Sequence, residues 1–250
     1  MDIIPFGEKL ITSEDLDPLY IILHRWQVGR PKLCQWLLAY WCYYNAGLCC
    51  WVVDQRDYWN AMEQVALGGK EYPRGTERRH FRGEIAVKSI EQLRERGEAI
   101  DIVTWLASAG PLAANIMNRV TTLYGFGQWI KWKIPDMLDR LQLFPVQFFD
   151  SDLRHMFKSS LDGANQSFKQ YGLVGEPLQA AHDYLIDSLG KLTAPPLHDR
   201  LINVQETETI FCKWKSHLHG HYPIGKDTKE VRHSLLRYAK TKTAQELLKL

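Results

Sequence analysis

A chain of 250 residues with 45% hydrophobic content is long enough for one or two domains with a sizeable core. Its net charge of +2 excludes wholesale electrostatic capture of nucleic acid, so any anion site must come from local clustering. Five cysteines, an odd number that includes the Cys49-Cys50 pair, together with no secretory signal, point to reduced thiols in a cytoplasmic protein rather than a disulfide framework.

In chain order, residues 1–17 are mixed and punctuated and read as an irregular arm. Leu19, Ile22, Leu23 and Trp26 then repeat at helical spacing after Pro18. Gly29-Arg30-Pro31 breaks that run, and Pro31 suits the start of the next helix. Leu33, Trp36, Leu37, Tyr40, Trp41 and Tyr44 form a wide apolar face, the expected central helix. From Leu33 to Val53 no residue is charged, a length that would span a bilayer. Gln35, Asn45, Gly47 and six Trp or Tyr spread through its middle instead predict a buried helix, a turn at Asn45-Ala-Gly47 and a short apolar connection, with no membrane partner. Asp54 is a candidate cap for a short helix through Tyr58 and Met62.

Gly68 to Gly75 reads as a loop leading into Thr76-Glu-Arg-Arg-His-Phe-Arg-Gly83. Five Lys or Arg face two Glu between Lys70 and Gly83. Helices follow through Ile85, Ile90 and Leu93, ending near Gly97, and through Ile100, Val103 and Leu106, stopped by Gly110-Pro111. Leu112, Ile116, Val120 and Leu123 lead into Tyr124-Gly-Phe-Gly127, and Trp129, Ile130, Ile134, Met137, Leu138 and Leu141 build the helix after it. Two amphipathic helices joined in this way, over about 111–142, have the pattern of a helix-hairpin-helix. Gly125 and Gly127 allow a tight turn, and the amides opening the next helix would face an anion. Gly125, Gly127, Gln128, Lys131 and Lys133 are the candidate DNA contacts; a purely structural turn is the alternative. Asp150 stands where a helix could begin, ahead of Leu153, Met156 and Phe157. Residues 159–176 are polar and glycine-containing. Leu178, Ala181, Leu185 and Leu189 mark a helix closed by Gly190. Residues 193–196 read as a linker before a C-terminal helical segment, where Asn203 and Glu206 form a candidate capping box for a helix carrying Ile210, Phe211 and Trp214. A last helix starts near Asp227. No strand alternation appears, so the expected class is all-α, one enzyme unit with room for two helical lobes, the hairpin region of about 111–142 lying in one of them.

Four blocks now resemble a known family, the phage alpha-glutamyl/putrescinyl-thymine pyrophosphorylases, or amino acid:DNA transferases. They are Leu38-Ala-Tyr-Trp-Cys-Tyr-Tyr-Asn-Ala-Gly47, Tyr72-Pro-Arg-Gly-Thr-Glu-Arg-Arg-His-Phe-Arg-Gly83, the hairpin from Gly125 to Arg140, and Cys212-Lys-Trp-Lys-Ser-His-Leu-His-Gly-His-Tyr-Pro223. The resemblance implies a fold related to the helix-hairpin-helix DNA glycosylases. It also implies action on double-stranded phage DNA whose 5-hydroxymethyluracil has been pyrophosphorylated: an amine such as glycine, glutamate or putrescine replaces the pyrophosphate, giving a hypermodified thymine. In the glycosylases an essential aspartate follows the hairpin, and Asp150 occupies the comparable place. Where bifunctional glycosylases carry a nucleophilic lysine, two positions after the second hairpin glycine, this chain has Trp129, which counts against base excision.

Displacing pyrophosphate requires cations for the leaving group, and Arg78, Arg79, His80, Arg82, Lys213 and Lys215 are the candidates. A shared helical face for Arg78 and Arg82 would turn Arg79 elsewhere. The amine must lose a proton, for which Asp150 is the first candidate and His217 and His221 the rivals; a helix N-cap is the structural alternative for Asp150. The target base must leave the stack, with Trp41, Tyr44, Asn45 and Trp129 as candidate pocket walls and a core or capping role as the plainer reading. His217, His219, His221 and Cys212 match no strong metal-ligand spacing, so neither metal nor other cofactor is expected. The alternatives are a base-excising glycosylase and a noncatalytic DNA-binding module.

Overall fold

The protein is described by a computed structural model over residues 2–250, and within them it is all-α. The helices are α1 (Ile3–Thr12), α2 (Pro18–Arg25), α3 (Arg30–Tyr43), α4 (Ala46–Val53), α5 (Tyr58–Leu67), α6 (Gly83–Arg94) and α7 (Ala99–Ala107). They continue with α8 (Ala113–Val120), α9 (Gln128–Arg140), α10 (Lys158–Gln170), α11 (Pro177–Leu189), α12 (Val204–Leu218), α13 (Lys226–Arg237) and α14 (Lys242–Leu247). The chain separates into two compact units. The first contains the segment ending at Ile21, Leu112–Ala114 and Asp136–Thr228; the second contains Ile22–Pro111, Asn115–Pro135 and Lys229–Leu250. The hairpin region therefore does not lie wholly in one unit: α9 passes from the second to the first at Pro135, a proline inside the helix.

In the first unit α12 is central, with α1, α10, α11 and the 3-10 turn Asp150–His155 packed on it. Its start is the expected capping box: Asn203 Oδ1 accepts the Gln205 N–H at 2.8 Å, and Glu206 accepts the Asn203 N–H at 3.0 Å. Two helices depart from the sequence reading. The expected N-terminal arm is α1, capped by Asp2 and burying Ile3, Phe6, Leu10 and Ile11. Gly7 lies on the same buried face, where a Cβ would stand 2.8 Å from Leu189 Cδ1 and 3.2 Å from Ile210 Cδ1. Within the polar stretch 159–176 lies most of α10, whose buried face consists of Ser160, Gly163, Ala164 and Ser167. Small residues let α10 approach α12 backbone to backbone: a Cβ on Gly163 would lie 2.0 Å from the Phe211 carbonyl oxygen. Gly163→Ala should therefore cost about 1–3 kcal/mol through overpacking, read as a lower denaturant midpoint. Residues 193–196 are packed rather than a free linker, with Ala194 and Pro195 buried and the Pro195 carbonyl accepting Arg140 Nε at 3.1 Å.

In the second unit α3 packs on α4 and α7, α4 on α5 and α14, and α5 on α6. The uncharged run is divided as expected. Tyr44 takes a left-handed conformation at φ +50°, and Asn45 Oδ1 caps α4 through the Leu48 N–H at 2.9 Å. Among the described residues no helix is long and apolar enough to cross a membrane. Asp57, adjacent to the first turn of α5, caps it through the Asn60 N–H at 3.0 Å. Asp54 lies too early for that role and instead accepts Thr243 N–H at 2.7 Å and Oγ1–H at 2.6 Å. Cys34, Cys42, Cys49 and Cys50 are core residues. Burial pushes the Cys34 thiol up to about 11 and those of Cys42 and Cys50 up to about 12. At pH 8 a thiol reagent should modify the half-buried Cys212 first and reach the other four only on unfolding, which mass spectrometry of labelled peptides would show.

Candidate functional site

The turn between α8 and α9 is built from the inside. Gly125 is left-handed at φ +78°, and its carbonyl accepts Arg78 Nη1 at 2.9 Å; the Tyr124 carbonyl accepts Ser89 Oγ at 2.6 Å. Phe126 is buried edge-on to Phe81, with the Arg78 guanidinium 4.1 Å and 5.1 Å from the Phe81 and Phe126 ring centres. Arg78 Nε also donates to the Cys42 carbonyl at 3.0 Å, tying the end of α3 to the turn. This is a departure from the phosphate-contact reading. Arg78 is 6% exposed, burial lowers its pKa to about 10, and two of its nitrogens serve main-chain carbonyls.

Residues 76–78 form a single 3-10 turn instead of an α-helix, so Arg78 and Arg82 do not share a helical face. Arg79, His80 and Arg82 are all exposed. Arg79 Nε donates to His80 Nε2 at 3.0 Å and Arg82 Nε to the Arg79 carbonyl at 2.8 Å, which gathers the three side chains on the outside. On the hairpin Gly127 and Gln128 are exposed and Lys131 half-buried, and a Cβ on Gly127 would meet nothing within 4 Å. Lys133 departs from the expected DNA contact: it is 7% exposed and its charge acts on the buried Tyr40 phenol. Tyr44 and Trp129 do meet, edge to face at 4.3 Å, and both stay half-buried. Asn45 Oδ1 is occupied by its cap and by the Ser234 hydroxyl at 2.9 Å, and Trp41 is fully buried core.

In the first unit Lys213 also points inward. Its ammonium donates to the Asp15 carbonyl at 2.6 Å and the Tyr222 hydroxyl at 2.7 Å and pairs with Asp227 at 2.6 Å. Three acceptors take all three hydrogens, so this lysine is a strut holding the turn before α2 to the segment after α12, and the expected pyrophosphate contact is not open to it. Asp15 completes the strut by accepting Gly225 N–H at 2.7 Å and Thr228 N–H at 3.0 Å. Lys215 pairs with Asp162 at 2.6 Å on the half-exposed side of α12. His217 sits against Phe6 at 4.6 Å and Trp214 at 5.5 Å, and its Nδ1–H faces the Tyr222 carbonyl at 2.9 Å. His219 and His221 are exposed, with ring centres 6.3 Å apart.

Asp150 opens the 3-10 turn with its side chain 68% exposed. It is not the cap there: Asp152 Oδ2 accepts the Phe149 N–H at 2.9 Å. Asp150 Oδ1 instead lies 3.4 Å from Nε2 of His182, a residue 3% exposed on α11. On the other side of that ring, Nδ1 is 2.9 Å from Thr207 Oγ1 on α12. Burial lowers the His182 pKa, and the carboxylates of Asp150 and Asp183 act in the opposite sense. The sequence reading passed over His182. Its signal was a histidine in phase with Leu185 and Leu189 on the buried stripe of α11.

A cleft of about 380 Å³ in the same unit is lined by Asp139, Arg140, Gln142, Pro195, Pro196 and Arg200, among others. Behind it Arg140 is fully buried and contacts Asp17 at 2.5 Å, Glu206 at 3.6 Å and Asp136 at 3.8 Å. Burial opposes its charge, yet these carboxylates outweigh burial and hold the guanidinium well above its usual range.

Residues 11–222 match the model of a family described as amino acid:DNA transferase. The chain is 36% identical over 271 aligned residues to the glycinyltransferase of Pseudomonas phage PaMx11, an alignment that covers 96% of this chain and 92% of that protein. It is 27% identical over 250 residues to the putrescinyltransferase of Delftia phage PhiW-14, covering 94% and 79%. The hairpin, the Arg79–His80–Arg82 cluster and the Asp150–His182 pair all fall within the matched residues. This chain belongs to the amino acid:DNA transferase family.

Proposed function

We propose that the protein transfers an amine, an amino acid such as glycine or a polyamine, onto 5-pyrophosphoryloxymethyluracil in double-stranded DNA. The bond between the amine nitrogen and the exocyclic methylene forms, the methylene carbon–oxygen bond breaks, and pyrophosphate leaves with the electron pair. An amine is protonated at neutral pH and must lose a proton before it can attack. Asp150 is assigned that proton. The observation that carries this reading is an accessible carboxylate with one oxygen engaged by a buried histidine, in a chain whose family moves amino acids to DNA. In the second unit, Arg79 and Arg82, with His80 beside them, supply outward cationic donors suited to phosphate oxygens, and the hairpin residues Gly127, Gln128 and Lys131 are assigned to the DNA backbone in the manner of a helix-hairpin-helix. Tyr44 and Trp129 are assigned to stack on an extruded base.

The test is to incubate the protein with duplex DNA carrying the pyrophosphorylated base and a mixture of glycine, glutamate and putrescine, then analyse the nucleosides by mass spectrometry. Amine gained on an intact thymine base, matched by released pyrophosphate, is the expected result. Abasic sites would show a glycosylase, and binding without product a DNA-binding module. Charge reversal at Arg79 and Arg82 together should weaken DNA binding and flatten its salt dependence, the slope falling by about one for each phosphate no longer neutralised. An unchanged salt slope would remove both residues from the DNA interface.

A further inference from the structure

His182 is buried and polar, bridges two elements beside Asp150, and has been given no role of its own in the reaction assigned above. Its ring meets Thr207 Oγ1 at 2.9 Å through Nδ1 and Asp150 Oδ1 at 3.4 Å through Nε2. A neutral imidazole carries one N–H, so two arrangements exist. If Nδ1 holds the hydrogen, it donates to Thr207, the Thr207 hydroxyl turns to the Val204 carbonyl at 3.2 Å, and the Nε2 lone pair faces a carboxylate. That contact is repulsive. If Thr207 donates to Nδ1, the hydrogen sits on Nε2, the ring nitrogen 3.4 Å from Asp150 Oδ1, and both contacts are attractive. The second arrangement is the one this geometry favours.

We infer that Thr207, His182 and Asp150 form an orienting chain: the Thr207 hydroxyl selects the imidazole tautomer, His182 Nε2–H holds Asp150 Oδ1, and Asp150 Oδ2 is left free to take the amine proton. His182 and Thr207 are positioning residues and touch no substrate. The ring stays neutral throughout; the proton passes from the ammonium to Oδ2 and from there to water. This rests on the assignment of Asp150 as the proton acceptor. The charged groups acting on the ring are Asp150 from the 3-10 turn and Asp183 on α11 itself, and α12 contributes the uncharged Thr207 hydroxyl. Burial keeps the pKa of the ring below its ordinary value, consistent with a neutral donor at pH 7.

The test uses the full chain labelled with ¹⁵N-histidine, the His182 signals being those lost in His182→Gln. The Nε2–H tautomer is expected in the wild type, with a shift toward Nδ1–H in Thr207→Val. Asp150→Asn should lower the His182 titration midpoint, because it removes a charge that favours the protonated ring. In transfer assays Thr207→Val should reduce kcat by about tenfold to a hundredfold, the cost typical of losing an orienting partner of a functional ligand, with KM unchanged for DNA and for amine. Thr207→Ser should restore the rate, and His182→Gln, which keeps a donor, should exceed His182→Ala. A His182 titration unmoved by Asp150→Asn, or a Thr207→Val enzyme with wild-type kcat, would overturn the chain. Should the wild type transfer no amine, the transferase assignment fails, and the tautomer and titration still decide whether the contact exists.

Discussion

Asp150→Asn should slow amine transfer by about 10²–10⁴-fold, the range a positioned general base contributes, while DNA is still bound. The asparagine keeps the shape of the side chain and can still accept from His182 Nε2–H, so the local fold should persist. What it loses is the basicity needed to take a proton from an ammonium. Removing one negative charge from an exposed side chain should tighten binding to polyanionic DNA slightly, or leave it unchanged. The decisive pair of measurements is the single-turnover rate on pyrophosphorylated DNA and a binding isotherm on the same duplex. Wild-type turnover in the variant would remove Asp150 from the chemistry. A parallel loss of binding and rate would make it a structural residue.

Arg140→Met should unfold the first unit more readily than any surface change. Arg140 is 2% exposed and faces Asp17, Asp136 and Glu206, with Nε and Nη2 also donating to the Pro195 carbonyl. Methionine fills similar volume but removes the cation facing Asp17 and Asp136 inside the protein, while Glu206 keeps Arg200 at 2.9 Å. Breaking a buried ion pair from one side costs about 3–5 kcal/mol, because the carboxylate left inside the protein loses the charge that neutralised it. In a protein of this length that corresponds to a fall in Tm of roughly 6–20 °C. Thermal unfolding followed by circular dichroism would show it, and a shift of only a degree or two would mean that the cluster is relieved by entering water. Tyr20, whose hydroxyl donates to Asp136 at 2.6 Å and whose ring lies 4.6 Å from the Arg140 guanidinium, should report the change locally.

Where side chains are large and apolar, the amino-acid order determines the element. The α3 stripe, the division of the uncharged run at Tyr44 and Asn45, the capping box of α12 and the glycine turn between α8 and α9 are all readable, because each depends on residues within a few positions of one another. The family blocks are local in the same sense. α10 was not readable, since its Ser160–Ser167 face packs by closeness of approach and not by bulk and leaves no hydrophobic rhythm, whereas α1 does carry one in Ile3, Phe6, Leu10 and Ile11 that the sequence reading passed over. The roles of the basic residues were decided by tertiary structure. Arg78 finds its carbonyl acceptor 36 positions away, Lys213 one 198 positions away, and His182 bridges to Thr207 25 positions on. A lysine or arginine looks the same in sequence whether it serves a phosphate or a buried carbonyl. Only the folded chain shows which acceptors reach it first, because a buried donor must be satisfied by whatever the tertiary packing brings near.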